Sequence, residues 1–192
     1  SLAKKYKDEF IAVRQHLHAN PELSYQEFET SKFVQSKLKE YGIPFSIMAE
    51  TGVVGLIEGK NPSSKIIALR ADMDALPILE ENNVSYKSTK DGVMHACGHD
   101  AHTTCLLGAA KILNELKTEW EGTVKLIFQP GEEGFAGAKA MIDDGLFDRF
   151  PVDAIYAMHN WPSLVPGMIG VNRGVGAAGV PCSGVAADTI QN

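Results

Sequence analysis

Between Met94 and Thr104 the chain places one thiol, three imidazoles and one carboxylate: Cys97, His95, His99, His102 and Asp100. Few packing roles ask for such a density of donor atoms, whereas a Cys-x-His pair suits one metal ion, or two in a shared site. Two later segments carry matching chemistry. Gln129-Pro130-Gly131-Glu132-Glu133-Gly134 holds adjacent carboxylates, and Met158-His159-Asn160-Trp161-Pro162 holds another imidazole. Cys97 as thiolate and His99 as neutral imidazole suit zinc and accept manganese or cobalt. Gly98 between them lets the backbone bend so that both face one point. Side chains of neighbouring residues diverge, so one of Glu132 and Glu133 can bind metal while the other moves a proton. Metal-assisted hydrolysis is the chemistry these groups suit, because a metal ion lowers the pKa of its bound water toward about 7.

Each group also has a plainer use. Cys97 and His99 fit a buried thiol beside a hydrogen-bonded imidazole, and Glu132-Glu133 fits the positive end of a helix dipole. His159 fits a structural strand end. The three segments together favour the metal reading. His95 and His102 suit packing or supporting positions beside a metal site, and Asp100 goes with them. Asp74 suits either a supporting acid or a turn. His16 and His18 sit where a helix ends, complementing its dipole. Cys105 falls in an apolar helix and is expected in the core. Cys182 receives no role. A cysteine-nucleophile reading, Cys97 with His99 or His159 as base, leaves Glu132 and Glu133 without a task.

The elements that must position these groups alternate. Tyr6, Phe10, Val13 and Leu17 recur on one helical face that stops at Asn20-Pro21. Ser24 with Glu27 reads as a capping box for a second helix, with Phe33 or Val34, Leu38 and Tyr41 inward and Gly42 at its end. Strands are expected at Val53–Glu58, Ile66–Arg70, Val124–Phe128, Ile155–Met158 and Met168–Val171, and helices near His102–Leu116 and Ala136–Asp144. This order predicts an α/β domain: a layered α/β/α arrangement around a mostly parallel or mixed sheet. Asp72 and Asp74, Glu132 and Glu133, and His159 each follow a strand, where open α/β sheets collect ligands.

The 192 residues suffice for one domain with a real core. The net charge of −6 and the absence of a basic, aromatic-interleaved patch argue against nucleic acid. No apolar leader or run of membrane-spanning length is present, so neither a signal peptide nor a membrane partner is expected. Three cysteines fit a reducing compartment, with the cytoplasm as the default. After Arg173 the composition shifts to Gly, Ala, Val, Pro and Ser. Residues 1–173 therefore read as the domain and 174–192 as an atypical tail.

Arg70-Ala71-Asp72-Met73-Asp74-Ala75-Leu76-Pro77, the His95–Thr104 run, Gln129–Gly134 with Ala136-Gly137-Ala138-Lys139, and His159-Asn160-Trp161-Pro162 resemble the M20 metallopeptidase family. The similarity is closest to its amidohydrolase branch: hippurate hydrolases, N-acyl-amino-acid deacetylases and auxin-conjugate hydrolases. Arg14-Gln15-His16-Leu17-His18 and Asn20-Pro21-Glu22-Leu23 match that branch's opening. The resemblance implies an amidohydrolase of N-acyl-amino acids, or alternatively a dipeptidase or carboxypeptidase. It implies two divalent ions, zinc or manganese with cobalt or nickel also compatible, on Cys97, His99, Glu133 and His159. Glu132 is implied as general base, and Asp72 as the residue orienting a ligand, with Arg70 where the wider family has histidine. Family members add a lid domain, carrying dimer contacts and a substrate-facing histidine, and then a last histidine ligand. No histidine follows His159 here. A truncated catalytic domain is expected, with a homodimer belonging to the longer form and an inactive metal-binding domain as the other reading of this chain.

Overall fold

The computed structural model describes residues 1–170. The chain divides between His159 and Asn160, and every candidate site residue lies in the first unit. Residues 160–170 contain turns closed by the Leu164 amide on the Trp161 carbonyl and the Met168 amide on the Val165 carbonyl, without strand or helix. The strand expected at Met168–Val171 is therefore absent through residue 170. Val171, Arg173 and the tail from Gly174, including Cys182, lie outside the described residues.

Two helices open the chain: α1 (Leu2–Lys5) and α2 (Lys7–Ala19), which stops at Asn20 before Pro21. Then come α3 (Phe28–Glu40), β1 (Phe45–Met48), β2 (Gly52–Glu58), β3 (Ile66–Asp72), α4 (His99–Glu115), β4 (Thr123–Gln129), α5 (Gly137–Asp143), α6 (Leu146–Arg149) and β5 (Ala154–Ala157). One mixed sheet results, in the order β1-β2-β4-β3-β5. β1 and β2 run antiparallel, as do β2 and β4, while β3 pairs parallel with β4 and β5.

The sheet is covered on both faces, which is why β4 is buried at every position. On one face Val53, Ile57, Val124, Leu126 and Phe128 pack against Val13, Leu17, Val34, Leu38, Leu106, Leu107 and Ala110 of α2, α3 and α4. On the other, Val54, Ala68 and Ile127 meet Met141 of α5 and Leu146 of α6. Alternate residues of one strand thus serve opposite layers, as the pleat requires. The expected α/β/α layering holds.

Two local expectations fail and one strand was unforeseen, each for an identifiable reason. Helix α3 begins at Phe28, and the capping box is not formed: the Glu22 carboxylate instead accepts the Glu29 and Thr30 amides at 3.2 and 2.8 Å. A distant carboxylate thereby does what a local cap would do. Strand β1 gave no sequence signal because it is four residues long at the sheet edge, with Ile47 exposed. Cys105 is exposed on α4, not in the core. The close of α3 is as expected: Gly42 has φ +71°, and the Ile43 amide bonds the Leu38 carbonyl at 2.8 Å.

Phe128 is fully buried between sheet and helices. Phe128→Ala is expected to lower the unfolding free energy by about 3–5 kcal/mol, against no more than about 0.5 kcal/mol for Ile47→Ala at the exposed edge, as read from urea denaturation.

Candidate metal centre

Parallel pairing decides where the site forms. Strands β3, β4 and β5 point the same way, with Asp72 opposite Gln129 and Arg70 opposite Ala157. The chain leaves β3 into Met73-Asp74, β4 into Pro130–Glu133, and β5 into Met158-His159. The first turn of α4 adds His99, and Gly98 at φ +86° aims that turn. Helix α4 starts earlier than expected, so His99 and Asp100 are helical. The loop after β4 folds tightly on itself: a Cβ at Gly137 would lie 1.6 Å from the Pro130 carbonyl oxygen, so only glycine fits there.

His99 is the hub, fully buried. Its Nδ1 lies 3.3 Å from Asp74 Oδ1, and its Nε2 lies 3.7 Å from Asp72 Oδ2, 3.8 Å from Glu132 Oε2 and 3.7 Å from Glu133 Oε1. Cys97 Sγ and His159 Nε2 stand 3.4 Å apart. Donor atoms of Cys97, His99 and His159 all lie within 4.8 Å of one another, and so do those of His99, Glu132 and Glu133. Sequence separations as large as 62 residues are thereby closed to contact distance.

The supporting residues divide. Asp74 accepts the Glu132 and Glu133 amides, each at 3.0 Å, and the Ser24 hydroxyl at 2.6 Å. Asp74 faces His99 Nδ1, whereas Asp72, the residue the resemblance gives as orienting a ligand, stands on the Nε2 side of the same ring. Asp72 lies 2.6 Å from His102 Nδ1 and takes Arg70 at 2.8 Å. With His99 and His102 it forms a third buried cluster of donor atoms within 4.8 Å. His102 also stacks edgewise on His159, ring centroids 4.5 Å apart. His95 is buried with neither ring nitrogen hydrogen-bonded, and burial pushes its imidazole down to about 4.

Asp100 turns away from the cluster. Its Oδ2 meets His18 Nδ1 at 2.7 Å and Arg14 Nε at 2.9 Å, while His18 Nε2 reaches Glu80 Oε1 at 2.9 Å. His18, in the last turn of α2 as expected, is thus also a buried hydrogen-bond node between Asp100 and Glu80. His16 stacks on Phe33 at 4.3 Å. Arg14 and His18 stand four residues apart on one helix face, a spacing that could have suggested a shared acidic partner.

Electrostatics around His99 favour a cation. Burial opposes the imidazolium, but Asp74, Asp72 and Glu133 outweigh it and raise the group above its ordinary value. Burial would likewise raise Asp72, yet His102, His99 and Arg70 hold it well below the usual carboxylate range. Burial, reinforced by Glu133, pushes the Cys97 thiol up to about 12. A nucleophilic cysteine needs the opposite shift, so the surroundings of the metal-free thiol do not favour that chemistry. His99 Nε2 and Glu133 Oε1 are both buried without a hydrogen-bond partner. Orphaned lone pairs among a thiol, imidazoles and carboxylates are the donor set a borderline divalent ion takes.

Residues 68–184 match the peptidase family M20/M25/M40, and the chain belongs to that family. It is 52% identical over 155 residues to a hippurate hydrolase of Campylobacter jejuni, covering 80% of this chain and 40% of the relative. An N-acetyl-L-cysteine deacetylase of Bacillus subtilis is 47% identical over 167 residues, covering 86% of this chain and 39% of that protein. The crystal structure of the Bacillus subtilis YXEP protein, described as a dinuclear metal-binding peptidase of the M20 family, superposes with a TM-score of 0.84 at 44% identity. That match covers 89% of this chain and 48% of the other. The chain spans less than half the length of each of these proteins.

The Glu80–His18 pair gives a pH prediction. Burial would raise Glu80, but the His18 hydrogen bond, with the Ser88 amide and Asn82, outweighs it and holds the carboxyl at about 2 instead of 4.5. A depressed acid stabilises the fold above its unfolded value and loses that contribution as pH falls. The stability gap between wild type and Glu80→Gln is therefore expected to be full at pH 6 and to shrink from pH 4.5 toward 2, as measured by denaturant midpoints across that range.

Proposed function

We propose that Cys97, His99, Glu133 and His159 hold two divalent ions, zinc or manganese, and that Glu132 is the general base of an amidohydrolase acting on N-acyl-amino acids. The observation that carries this reading is the convergence of Cys97, His159, Glu132 and Glu133 on the buried His99, whose Nε2 has no hydrogen-bond partner. The names of the relatives, hippurate hydrolase and N-acetyl-L-cysteine deacetylase, support the substrate class. When bound, such ions supply Lewis acidity toward water and an amide carbonyl.

The two glutamates are placed for different work. The Glu133 side chain is 21% exposed, with Oε1 buried and unpartnered, and suits a ligand. Glu132, at 38%, reaches solvent while its carboxylate stays beside His99. It takes a proton from the attacking water and returns it to the leaving amine. Asp74 anchors both backbone amides, so the two carboxylates cannot exchange places without breaking those bonds. His102, set by Asp72, packs against the His159 ring and limits its rotation.

No helix among the described residues is long and apolar enough to cross a membrane. A site that depends on the Cys97 thiol is compatible with a reducing compartment, and we assign the protein to the cytoplasm on that ground.

The zinc- or manganese-loaded chain is expected to release the amino acid from hippurate or N-acetylcysteine, followed by amine-reactive detection. Glu132→Gln should bind metal as wild type does and turn over about 10²–10⁴-fold more slowly. A metal-loaded wild type that cleaves no N-acyl-amino acid would replace this reading with that of a metal-binding domain.

A further inference from the structure

The linker between α2 and α3, residues 22–27, contains neither helix nor extended strand, yet it braces the centre at several points. The Glu22 carbonyl accepts the Ala75 amide at 2.7 Å, and Leu23 pairs with Ala75 in a parallel bridge. The linker therefore runs alongside Met73–Ala75. Glu27 is fully buried and accepts the Gly131 amide at 2.8 Å and the Thr51 hydroxyl at 3.0 Å. Tyr25 has φ +61°, a conformation bulky residues avoid unless their surroundings hold them there. Its hydroxyl donates to the Phe135 carbonyl at 2.8 Å.

Ser24 makes the contact that matters most. Its hydroxyl donates to Asp74 Oδ2, which also accepts the Glu133 amide, while Oδ1 accepts the Glu132 amide and faces His99 Nδ1. A carboxylate has about four lone-pair sites. With Ser24 in place, three of them accept a hydrogen bond and the fourth faces His99 Nδ1 at 3.3 Å, which restricts the Asp74 rotamer. An acceptor held beside Nδ1 selects the tautomer that leaves the Nε2 lone pair directed at Glu132, Glu133 and Asp72.

We infer that Ser24 is a positioning residue for the metal centre: through Asp74 it sets the tautomer and orientation of His99 and the backbone carrying Glu132 and Glu133. The inference rests on the metal-centre reading above. Without the hydroxyl, one Asp74 oxygen loses a donor and the carboxylate can rotate away from His99. The fold does not need this bond, since the Leu23–Ala75 bridge and the Glu22 and Glu27 contacts hold the linker by themselves.

The test is zinc affinity of the full chain, measured by competition with a chromophoric chelator, alongside the thermal midpoint of the metal-free protein. Ser24→Ala is expected to bind zinc about 10–100-fold more weakly, the range typical of lost outer hydrogen bonds to metal-binding histidines. The metal-free midpoint should stay near that of wild type, and Ser24→Thr, which keeps the hydroxyl, should restore affinity. If Ser24→Ala does not fold, the near-isosteric Ser24→Cys takes its place with the same expectation. Equal affinity in wild type and variant would overturn the inference. So would a lowered metal-free midpoint with no rescue by threonine, since the role would then be purely structural. A wild type that binds no zinc would overturn the metal-centre reading itself and the inference with it.

Discussion

Four carboxylates, Asp72, Asp74, Glu132 and Glu133, lie around one buried imidazole, and their mutual repulsion is the constraint that organises this protein. Buried carboxylates need donors or cations, because burial penalises the charged form. The chain meets that need for two of them. Asp74 has Ser24 and two backbone amides, and Asp72 has Arg70 and His102. Glu133 Oε1 and His99 Nε2 keep unmatched lone pairs. The protein thus fixes its supporting acids and leaves the ligand-bearing atoms poised for a cation. The N-terminus of α4 adds a partial positive charge beside the same cluster.

The fold follows from the need to bring these groups together from distant segments. Parallel β3, β4 and β5 end at one edge of the sheet, so three loops arrive side by side. The loop from β3 to α4 is long, and its return to the centre is secured away from the metal ligands. Leu76 and Met94 exchange backbone hydrogen bonds, the Thr89 amide and hydroxyl both reach the Ala19 carbonyl, and Glu80 ties the loop to His18. The His18–Asp100 contact joins that loop and α2 to the first turn of α4. Cys97 and His99 are consequently held from both sides. A buried network of this kind is a weak source of stability but a strong constraint on geometry once every partner is satisfied.

Much of this was legible because helical periodicity and continuous apolar runs alternate along the chain. Near-continuous apolar runs, such as those within Val53–Glu58 and Val124–Phe128, announced a sheet covered on both faces. The clustering of Cys97, His99, Glu132, Glu133 and His159 after strand ends announced the centre. What stayed hidden depends on tertiary contact. Ser24 and Glu27 have the spacing of a capping box, yet Ser24 serves Asp74, Glu27 serves Gly131, and Glu22 caps α3 from outside the motif. Local pattern could not distinguish a cap from a brace, because both use the same acceptor and hydroxyl chemistry. Asp72 and Asp74 sit two residues apart, and only the fold shows which one faces His99 Nδ1. Cys105 read as core because its neighbours are apolar, but it lies on the outward side of α4.

Occupancy of the centre around His99 is tested most directly by anomalous diffraction from crystals of the chain grown with zinc, recorded on both sides of the zinc absorption edge. Two anomalous peaks are expected beside His99, within bonding distance of Cys97, Glu133 and His159. Peaks only on surface residues, or none in the cluster, would contradict that occupancy.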